Sequence, residues 1–348
     1  MAPPDRTPDE TVRALELVLE RARAYVTTLD DDRVRMPNAE AASHRFRGPL
    51  PDDGDGTLAV IARLFDEGLD AHVRSSGPRF FHWVIGGATP AARAADWITS
   101  VFDQNAGGWD ASPLATELES VALSWLRELF ELPAAWQGVL TTGATMANFT
   151  GLAAGRRWWG EQHGVDVEQE GLAALPPVPV LSSGFLHTST HKALAMLGIG
   201  RGSVTTCALE RGGRMDVELL ELRLRELDGA PAIVIANAGE VNAGQFDPVD
   251  EIADVVADQR VWLHVDGAFG LFARITPRAR HLAEGVERAD SVIADGHKWL
   301  NVPFDCGFAF VRDADLLAGT FTAGADYLPS SQEERPIFGN ARASGGVL

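Results

Sequence analysis

Short apolar runs recur through this chain, and each one ends in small or polar residues. Six of them are predicted to be buried strands: 137–141, 179–182, 232–236, 261–265, 291–294 and 308–311. Helices are predicted around them, including one with an apolar stripe from Leu118 to Leu129. Because strands that alternate with helices form parallel sheets, the chain is predicted to be an α/β protein with a mainly parallel sheet. Such sheets bind ligands beyond the carboxyl ends of their strands, so the polar strand tips are the candidate site.

The strand at 291–294 ends in a polar tip that contains His297 and Lys298. The chain has 30 basic residues, yet only Lys192 and Lys298 are lysines. A guanidinium group neither loses its proton near neutral pH nor forms an imine, whereas a primary amine does both. A lysine kept at a strand end beside a histidine therefore indicates Schiff-base chemistry. The alternative at this point is a surface lysine in a turn.

Length and composition limit the number of domains, the partners and the location that this chain can have. A chain of 348 residues can form one large domain with appendages, or two domains. The formal net charge of −19 argues against nucleic acid and anionic membranes as partners. We expect a cytoplasmic protein, because the sequence has neither a run of about 18 apolar residues nor a signal peptide. Cys207 and Cys306 are too few for a disulfide framework and lack the spacing of a metal site.

A turn of small residues follows the first predicted strand. Thr142-Gly143-Ala144-Thr145 connects that strand to a helix that runs to about Trp158. The free N–H groups and the positive dipole at the start of a helix favour an anion, and small side chains let it approach. The sequence therefore predicts an anion site here. It is not the Gly-x-Gly-x-x-Gly fingerprint, so a nicotinamide-dependent oxidoreductase is disfavoured.

Several motifs occur in a fixed order between about Pro78 and Leu328. They are Ser112-Pro113-Leu114-Ala115-Thr116-Glu117-Leu118-Glu119, Gly143-Ala144-Thr145, His187, the strand that ends in Asp266, and His297-Lys298-Trp299-Leu300. Together they resemble the group II amino-acid decarboxylases, which are pyridoxal 5'-phosphate (PLP) enzymes of the aspartate-aminotransferase fold, fold type I. The resemblance implies a seven-stranded PLP-binding large domain. It also implies decarboxylation of an amino acid to an amine and CO2.

The resemblance implies a role for each strand tip. Lys298 would carry PLP as a Schiff base, and Asp266 would keep the pyridine nitrogen protonated. His187 would lie on one face of the ring, near the substrate carboxylate, with Ala268 on the other face. Tyr327 would return a proton to the α-carbon, although it could equally be an ordinary loop residue. The residues implied to hold the phosphate are Gly143, Ala144, Thr145 and His297.

The same resemblance suggests a domain organisation. Residues 1–75 would form an N-terminal helical arm and linker, with apolar residues at helical spacing over 8–28. Residues 76–325 would form the PLP-binding large domain, and 326–348 would be a loop and a truncated remnant of a C-terminal domain. Family active sites lie between two subunits, so the expected partners are an amino-acid substrate and a second copy of the chain.

One segment departs from the family pattern. Gly239-Glu240-Val241 stands where members of the family have Gly-Thr-Thr, whose hydroxyls approach the ring and the substrate carboxylate. Val241 cannot donate a hydrogen bond, and Glu240 would repel a carboxylate if it faced the site. Two alternatives therefore stay open. One is another PLP reaction, such as transamination or oxidative deamination, and the other is an inactive, truncated member of the family.

Overall fold

A computed structural model describes residues 8–106, 109, 111–209 and 213–321. The chain divides into two compact units, Met1–Gly87 and Ala88–Leu348. Within the described residues, no helix combines the length and apolar character needed to cross a membrane.

The first unit is helical. Its helices are α1 (Pro8–Thr28), α2 (Ala39–His44) and α3 (Thr57–Gly68), followed by a 3-10 turn at Leu69–Ala71. Helix α1 spans the residues whose spacing predicted a helix, and an ion pair of 3.0 Å between Arg21 and Asp66 joins it to α3. None of the residues of α1 is buried.

The second unit is built on one sheet. Its helices are α4 (Pro90–Phe102), α5 (Pro113–Leu129), α6 (Ala144–Glu161), α7 (Val167–Glu170), α8 (Thr188–Met196), α9 (Val217–Glu226), α10 (Val249–Val256), α11 (Gly296–Trp299) and α12 (Ala314–Phe321). Its strands are β1 (Gln137–Thr141), β2 (Val180–Ser182), β3 (Val204–Thr206), β4 (Ala232–Asn237), β5 (Val261–Asp266), β6 (Ser291–Asp295) and β7 (Gly307–Val311). Further 3-10 turns lie at Arg201–Ser203, Gly270–Ile275, Arg280–Ala283 and Val286–Arg288.

The sheet has seven strands in the order β1-β7-β6-β5-β4-β2-β3, which confirms the predicted fold class. Strands β2 to β6 run parallel to one another, and β7 is antiparallel to both of its neighbours, β6 and β1. Since β1 and β6 both oppose β7, they run in the same direction. The carboxyl ends of β1, β2, β4, β5 and β6 therefore meet at one edge of the sheet.

Each face of the sheet is covered by helices. Alternate residues of a strand point to opposite faces, so Ile233 and Ile235 of β4 pack with helices α6 and α8, whereas Val234 packs with α9 and α10. Strands β4, β6 and β7 are buried along their whole length. Continuous burial explains why these strands read in the sequence as apolar runs without polar alternation.

Helix α6 approaches β5 closely because it carries glycine at the contact points. A Cβ added to Gly151 would lie 2.8 Å from His264 Cε1, and one added to Gly155 would lie 2.8 Å from Trp262 Cδ1. Distances this short cannot be accommodated without moving the helix or the strand. The two glycines thus make room for two large side chains on the sheet.

We expect Gly151→Ala to destabilise the protein, although alanine is the better helix former by about 1 kcal/mol. Overpacking against the His264 ring costs roughly 1–3 kcal/mol, so the free energy of unfolding should fall by about 1 kcal/mol. Urea denaturation measures this change. Gly202→Ala is the matched control, because a Cβ there meets open space. A Gly151→Ala protein more stable than the wild type would contradict the packing argument.

Candidate active site

Lys298 lies in the one-turn helix α11, directly after β6. Its Nζ is 2.8 Å from Asp295 Oδ2, and it lies 4.4 Å from the centroid of the Phe269 ring. The side chain of Lys298 is 15% exposed, so the amine is partly open to a ligand. The structure therefore places a primary amine beside a buried carboxylate at the ligand-binding edge of the sheet.

The two oxygens of Asp295 differ in their surroundings. Oδ2 pairs with Lys298, whereas Oδ1 is buried and has no hydrogen-bond partner among the described residues. Burial raises the pKa of Asp295, with the charge of Lys298 acting in the opposite direction. Oδ1 therefore keeps its capacity for a further hydrogen bond.

The small-residue turn and His297 converge on the same place. Gly143 has a φ of +89° and directly precedes α6, which begins at Ala144. A Cβ at Gly143 would lie 3.5 Å from His297 Cε1 and 3.7 Å from Asp295 Oδ1. The first N–H groups of a helix, here those of Ala144 and Thr145, have no partner within the helix. The predicted anion site thus lies beside His297 and Asp295, and Asp295 is the partner of Lys298.

The backbone holds the His297 ring in place. Nδ1 lies 3.1 Å from the amide nitrogen of Cys306 and 3.0 Å from its carbonyl oxygen. The opposite ring nitrogen, Nε2, is 3.7 Å from Asp295 Oδ2. His297 therefore presents Nε2 toward Asp295 and Cε1 toward the turn at Gly143.

Asp266 ends β5 and is buried under three neutral donors. Its Oδ2 accepts hydrogen bonds from Asn148 Nδ2 at 2.9 Å and Thr190 Oγ1 at 3.1 Å. Its Oδ1 accepts one from the amide of Ala268 at 3.2 Å. A carboxylate oxygen can accept two bonds, so Oδ1 keeps capacity for one more donor. All three donors are neutral, and no ion pair involves Asp266 within the part of the chain that the structure describes.

His187 and Ala268 lie at the same edge. His187 caps helix α8, because its Nδ1 accepts from the amide of Ser189 at 3.2 Å and lies 2.7 Å from Ser189 Oγ. In the neutral ring the proton is therefore on Nε2. Thr190, one turn later, reaches Asp266. The carbonyl oxygen of Ala268 accepts from the amide of Asp295 at 3.4 Å, which brings the ends of β5 and β6 together.

Of Tyr327 and Glu240, two residues singled out in the sequence, the structure describes only Glu240. Tyr327 lies outside the described residues. Glu240 is only 8% exposed and uses its carboxylate inside its own loop, accepting from Asn242 N at 2.6 Å, Asn242 Nδ2 at 3.0 Å and the amide of Ala243. Burial raises its pKa, but these hydrogen bonds prevail and lower it. The Glu240 carboxylate is therefore committed to the loop, while Val241 is exposed.

The comparison of the sequence with protein families is decisive. Residues 50–338 match the pyridoxal-dependent decarboxylase conserved domain. The chain belongs to the pyridoxal-dependent decarboxylase family. This confirms the predicted family, and PLP is the cofactor of its members.

Relatives and solved structures agree with this membership. L-2,4-diaminobutyrate decarboxylase of Rhizobium meliloti (strain 1021) is 36% identical over 302 residues, which cover 84% of this chain and 57% of that relative. Cysteine sulfinic acid decarboxylase of Rattus norvegicus is 34% identical over 263 residues, 74% of this chain and 52% of that relative. The crystal structure of Oryza sativa TDC with PLP and tryptamine superposes with a TM-score of 0.86 at 26% identity, covering 98% of this chain and 72% of that one. The chain thus spans little more than half the length of these two curated relatives.

The site fits PLP on four observations. Gly143 opens a cradle at the start of α6, where a phosphate would find the free amides of Ala144 and Thr145. Asp295 Oδ1 is a buried polar atom that lacks a partner among the residues the structure describes. Asp266 Oδ1 can accept one more donor, as a protonated pyridine nitrogen would require. Lys298 is the primary amine available to hold the aldehyde.

Three contributors to this arrangement were missed by the sequence analysis: Asn148, Thr190 and Asp295. Asp295 had a readable signal, because residues three apart share a helix face and it stands three before Lys298. Asn148 and Thr190 had none, since their contacts with Asp266 depend on how α6 and α8 pack against the sheet.

A buried histidine lies next to this site. His264 is on β5, two residues before Asp266, and its side chain is fully buried. Burial lowers the pKa of His264 to about 4, although the charge of Asp266 acts in the opposite direction. The ring is therefore neutral at physiological pH.

This pKa predicts a pH dependence of stability. The unfolded chain binds a proton at His264 near pH 6.5 and the folded chain only near pH 4, so the contribution of His264 is complete above pH 6.5 and is lost as the pH falls to 4. The loss is on the order of 3 kcal/mol. We expect the stability of the wild type relative to His264→Gln to fall by that amount between pH 7 and pH 4 in urea denaturation. A pH-independent difference would contradict the buried neutral state.

Proposed function

We propose that this chain forms the PLP-binding part of an amino-acid decarboxylase, which converts an amino acid to an amine and CO2. The observation that carries the proposal is that Lys298, the turn at Gly143 and Asp266, whose Oδ1 can accept one more donor, all lie at one edge of the sheet. Bound PLP supplies an electron-withdrawing ring that accepts the electrons released at the substrate α-carbon.

Different residues of the chain would hold the aldehyde, the phosphate and the ring of the cofactor. Lys298 would hold the aldehyde carbon, and its pairing with Asp295 gives its proton an acceptor at 2.8 Å. Gly143, Ala144, Thr145 and His297 would hold the phosphate.

Asp266 would keep the ring nitrogen protonated, with Ala268 against one ring face. His187, with its proton on Nε2, would donate a hydrogen bond to the substrate carboxylate and orient it for loss of CO2. Tyr327 would be a proton donor to the α-carbon.

We further propose that the working enzyme is a cytoplasmic homodimer. None of the residues of α4 is buried, and Trp97, Ile98, Val101 and Phe102 expose their side chains on it. Contiguous apolar surface of this kind marks an interaction site. Sedimentation analysis should give twice the mass of the chain, and a monomer at micromolar concentration would contradict the dimer.

The activity is tested by incubating the purified protein with PLP and a panel of amino acids. The panel should include L-2,4-diaminobutyrate, cysteine sulfinate and aromatic amino acids, on which the relatives' names are based. We expect stoichiometric release of CO2 and the corresponding amine from at least one of them. Formation of keto acid or aldehyde without CO2 would instead support transamination or oxidative deamination. PLP binding without any turnover would contradict the proposal for this chain.

A further inference from the structure

One face of β5 carries a row of polar side chains under helix α6. Trp262, His264 and Asp266 are alternate residues of the strand, so they point to the same face of the sheet. All three are buried, with Trp262 2% and His264 0% exposed. Only the last of them is at the strand tip, and the other two lie progressively deeper in the protein.

Hydrogen bonds join this row into one chain of contacts. Trp262 Nε1 donates to Ser291 Oγ at 3.0 Å, and Ser291 Oγ lies 2.8 Å from His264 Nδ1. His264 Nε2 lies 2.8 Å from Asn148 Oδ1. Asn148 Nδ2 donates to Asp266 Oδ2 at 2.9 Å. Every contact has good hydrogen-bond length, and both Ser291 and Asn148 are fully buried.

The proton positions follow from the carboxylate. An ionised Asp266 can only accept, so the atom of Asn148 that faces it is the amide nitrogen, and Oδ1 faces His264. His264 must then donate from Nε2, which leaves Nδ1 to accept from the hydroxyl of Ser291. Ser291 in turn accepts from Trp262. Each donor in the chain has an acceptor, and the direction of donation runs toward Asp266.

The fold makes room for this chain at a cost. Gly151 and Gly155 replace side chains that would collide with His264 and Trp262, and glycine within a helix costs about 1 kcal/mol relative to alanine. A purely apolar filling would avoid both the glycines and the burial of four polar side chains. Packing alone therefore does not explain this chain of hydrogen bonds. It ends at Asp266, the carboxylate proposed to face the ring nitrogen of PLP.

We propose that His264 is a positioning residue for the cofactor. Acting through Asn148, it fixes the donor to Asp266 Oδ2, so that Oδ1 is presented to the PLP ring nitrogen as a full anion and keeps it protonated. This inference rests on PLP binding by the chain, and it concerns the protonation state of the cofactor rather than the reaction catalysed.

The neutral state of His264 matters to this role. A cationic His264 ring next to Asn148 would attract the Asp266 carboxylate and weaken its interaction with the ring nitrogen of the cofactor. Burial instead lowers the pKa of His264 to about 4, so the ring orients Asn148 without adding charge. Loss of the oriented donor would remove a hydrogen bond that favours the charged carboxylate, and the shared proton would move from the ring nitrogen toward Asp266.

The test uses PLP labelled with ¹⁵N at the ring nitrogen, bound to the full chain and observed by solid-state NMR. In the wild type we expect the chemical shift of a protonated pyridine. His264→Phe should move the shift toward that of unprotonated pyridine, and PLP should bind about tenfold more weakly by fluorescence titration. Trp262→Phe is the matched control, because it changes a buried aromatic residue on the same face but leaves Ser291 able to donate to His264.

Asn148→Leu tests whether the residues act in series. It should reproduce the shift of His264→Phe, and the double variant should move no further than Asn148→Leu alone. If His264→Phe does not fold, the His264→Phe/Asn148→Leu double variant is used for the test. It replaces both hydrogen-bond partners by apolar groups and so leaves fewer unpaired polar atoms. Additive shifts, equal shifts in Trp262→Phe and His264→Phe, or an unchanged His264→Phe would each overturn the relay. A wild type that does not bind PLP would overturn the proposed function itself.

Discussion

Replacing Lys298 with alanine is expected to abolish the visible absorbance of the PLP-bound protein and to lower kcat by at least about 1000-fold. The reason is that the variant lacks the amine proposed to hold the cofactor aldehyde, and the one other lysine of the chain is Lys192. The phosphate cradle at Gly143 and the carboxylate of Asp266 remain, so free PLP should still associate weakly. Absorbance spectra after gel filtration, with decarboxylation assays alongside, measure both effects.

Lys192 provides the matched control, since it is the other lysine of the chain. It lies exposed on helix α8. Lys192→Ala should therefore retain both the absorbance and the activity of the wild type. A Lys298→Ala protein that keeps the visible absorbance after gel filtration would show that the cofactor is held elsewhere.

Asp266→Asn is the second change with a large expected effect. Asparagine keeps the size of the side chain and can preserve several hydrogen bonds, but it removes the negative charge that we propose holds a proton on the ring nitrogen. The loss of this electrostatic stabilisation should lower kcat by about 1000-fold. PLP should still attach to Lys298, so the spectrum should change in position rather than disappear.

Asp290→Asn separates this effect from the general loss of a buried acid. Asp290 is a partly buried aspartate at the opposite edge of the same sheet, where its Oδ2 accepts from the amide of Leu263 at 2.8 Å. Its substitution should affect stability and leave kcat within about twofold of the wild type. Equal losses of kcat in the two variants would argue that Asp266 has a structural role only.

The fold was largely predictable, because buried parallel strands are visible as apolar runs. Strand β3 was not predicted, since Val204–Thr206 is short and two of its three residues are exposed threonines. The antiparallel direction of β7 was also missed. It has a physical reason, because the segment between Asp295 and Gly307 is too short for the crossover that a parallel neighbour needs.

The site was predictable only where a residue stands at a strand tip. Lys298, Asp266 and the turn at Gly143 each follow an apolar run, so sequence order alone brings them to one edge. Asn148 contacts Asp266 across a separation of 118 residues, and nothing in its local sequence indicates that contact. The orientation of Glu240 was equally unpredictable from the sequence. It depends on the conformation of a loop whose amides donate hydrogen bonds to the Glu240 carboxylate.

The most direct test of this account is to reduce the PLP-bound protein with borohydride and to locate the modified lysine by mass spectrometry. With only Lys192 and Lys298 in the chain, the assignment is unambiguous. The account predicts a phosphopyridoxyl group on the peptide that contains Lys298 and an unmodified Lys192. A modified Lys192 with an unmodified Lys298, or no modification of either, would contradict it.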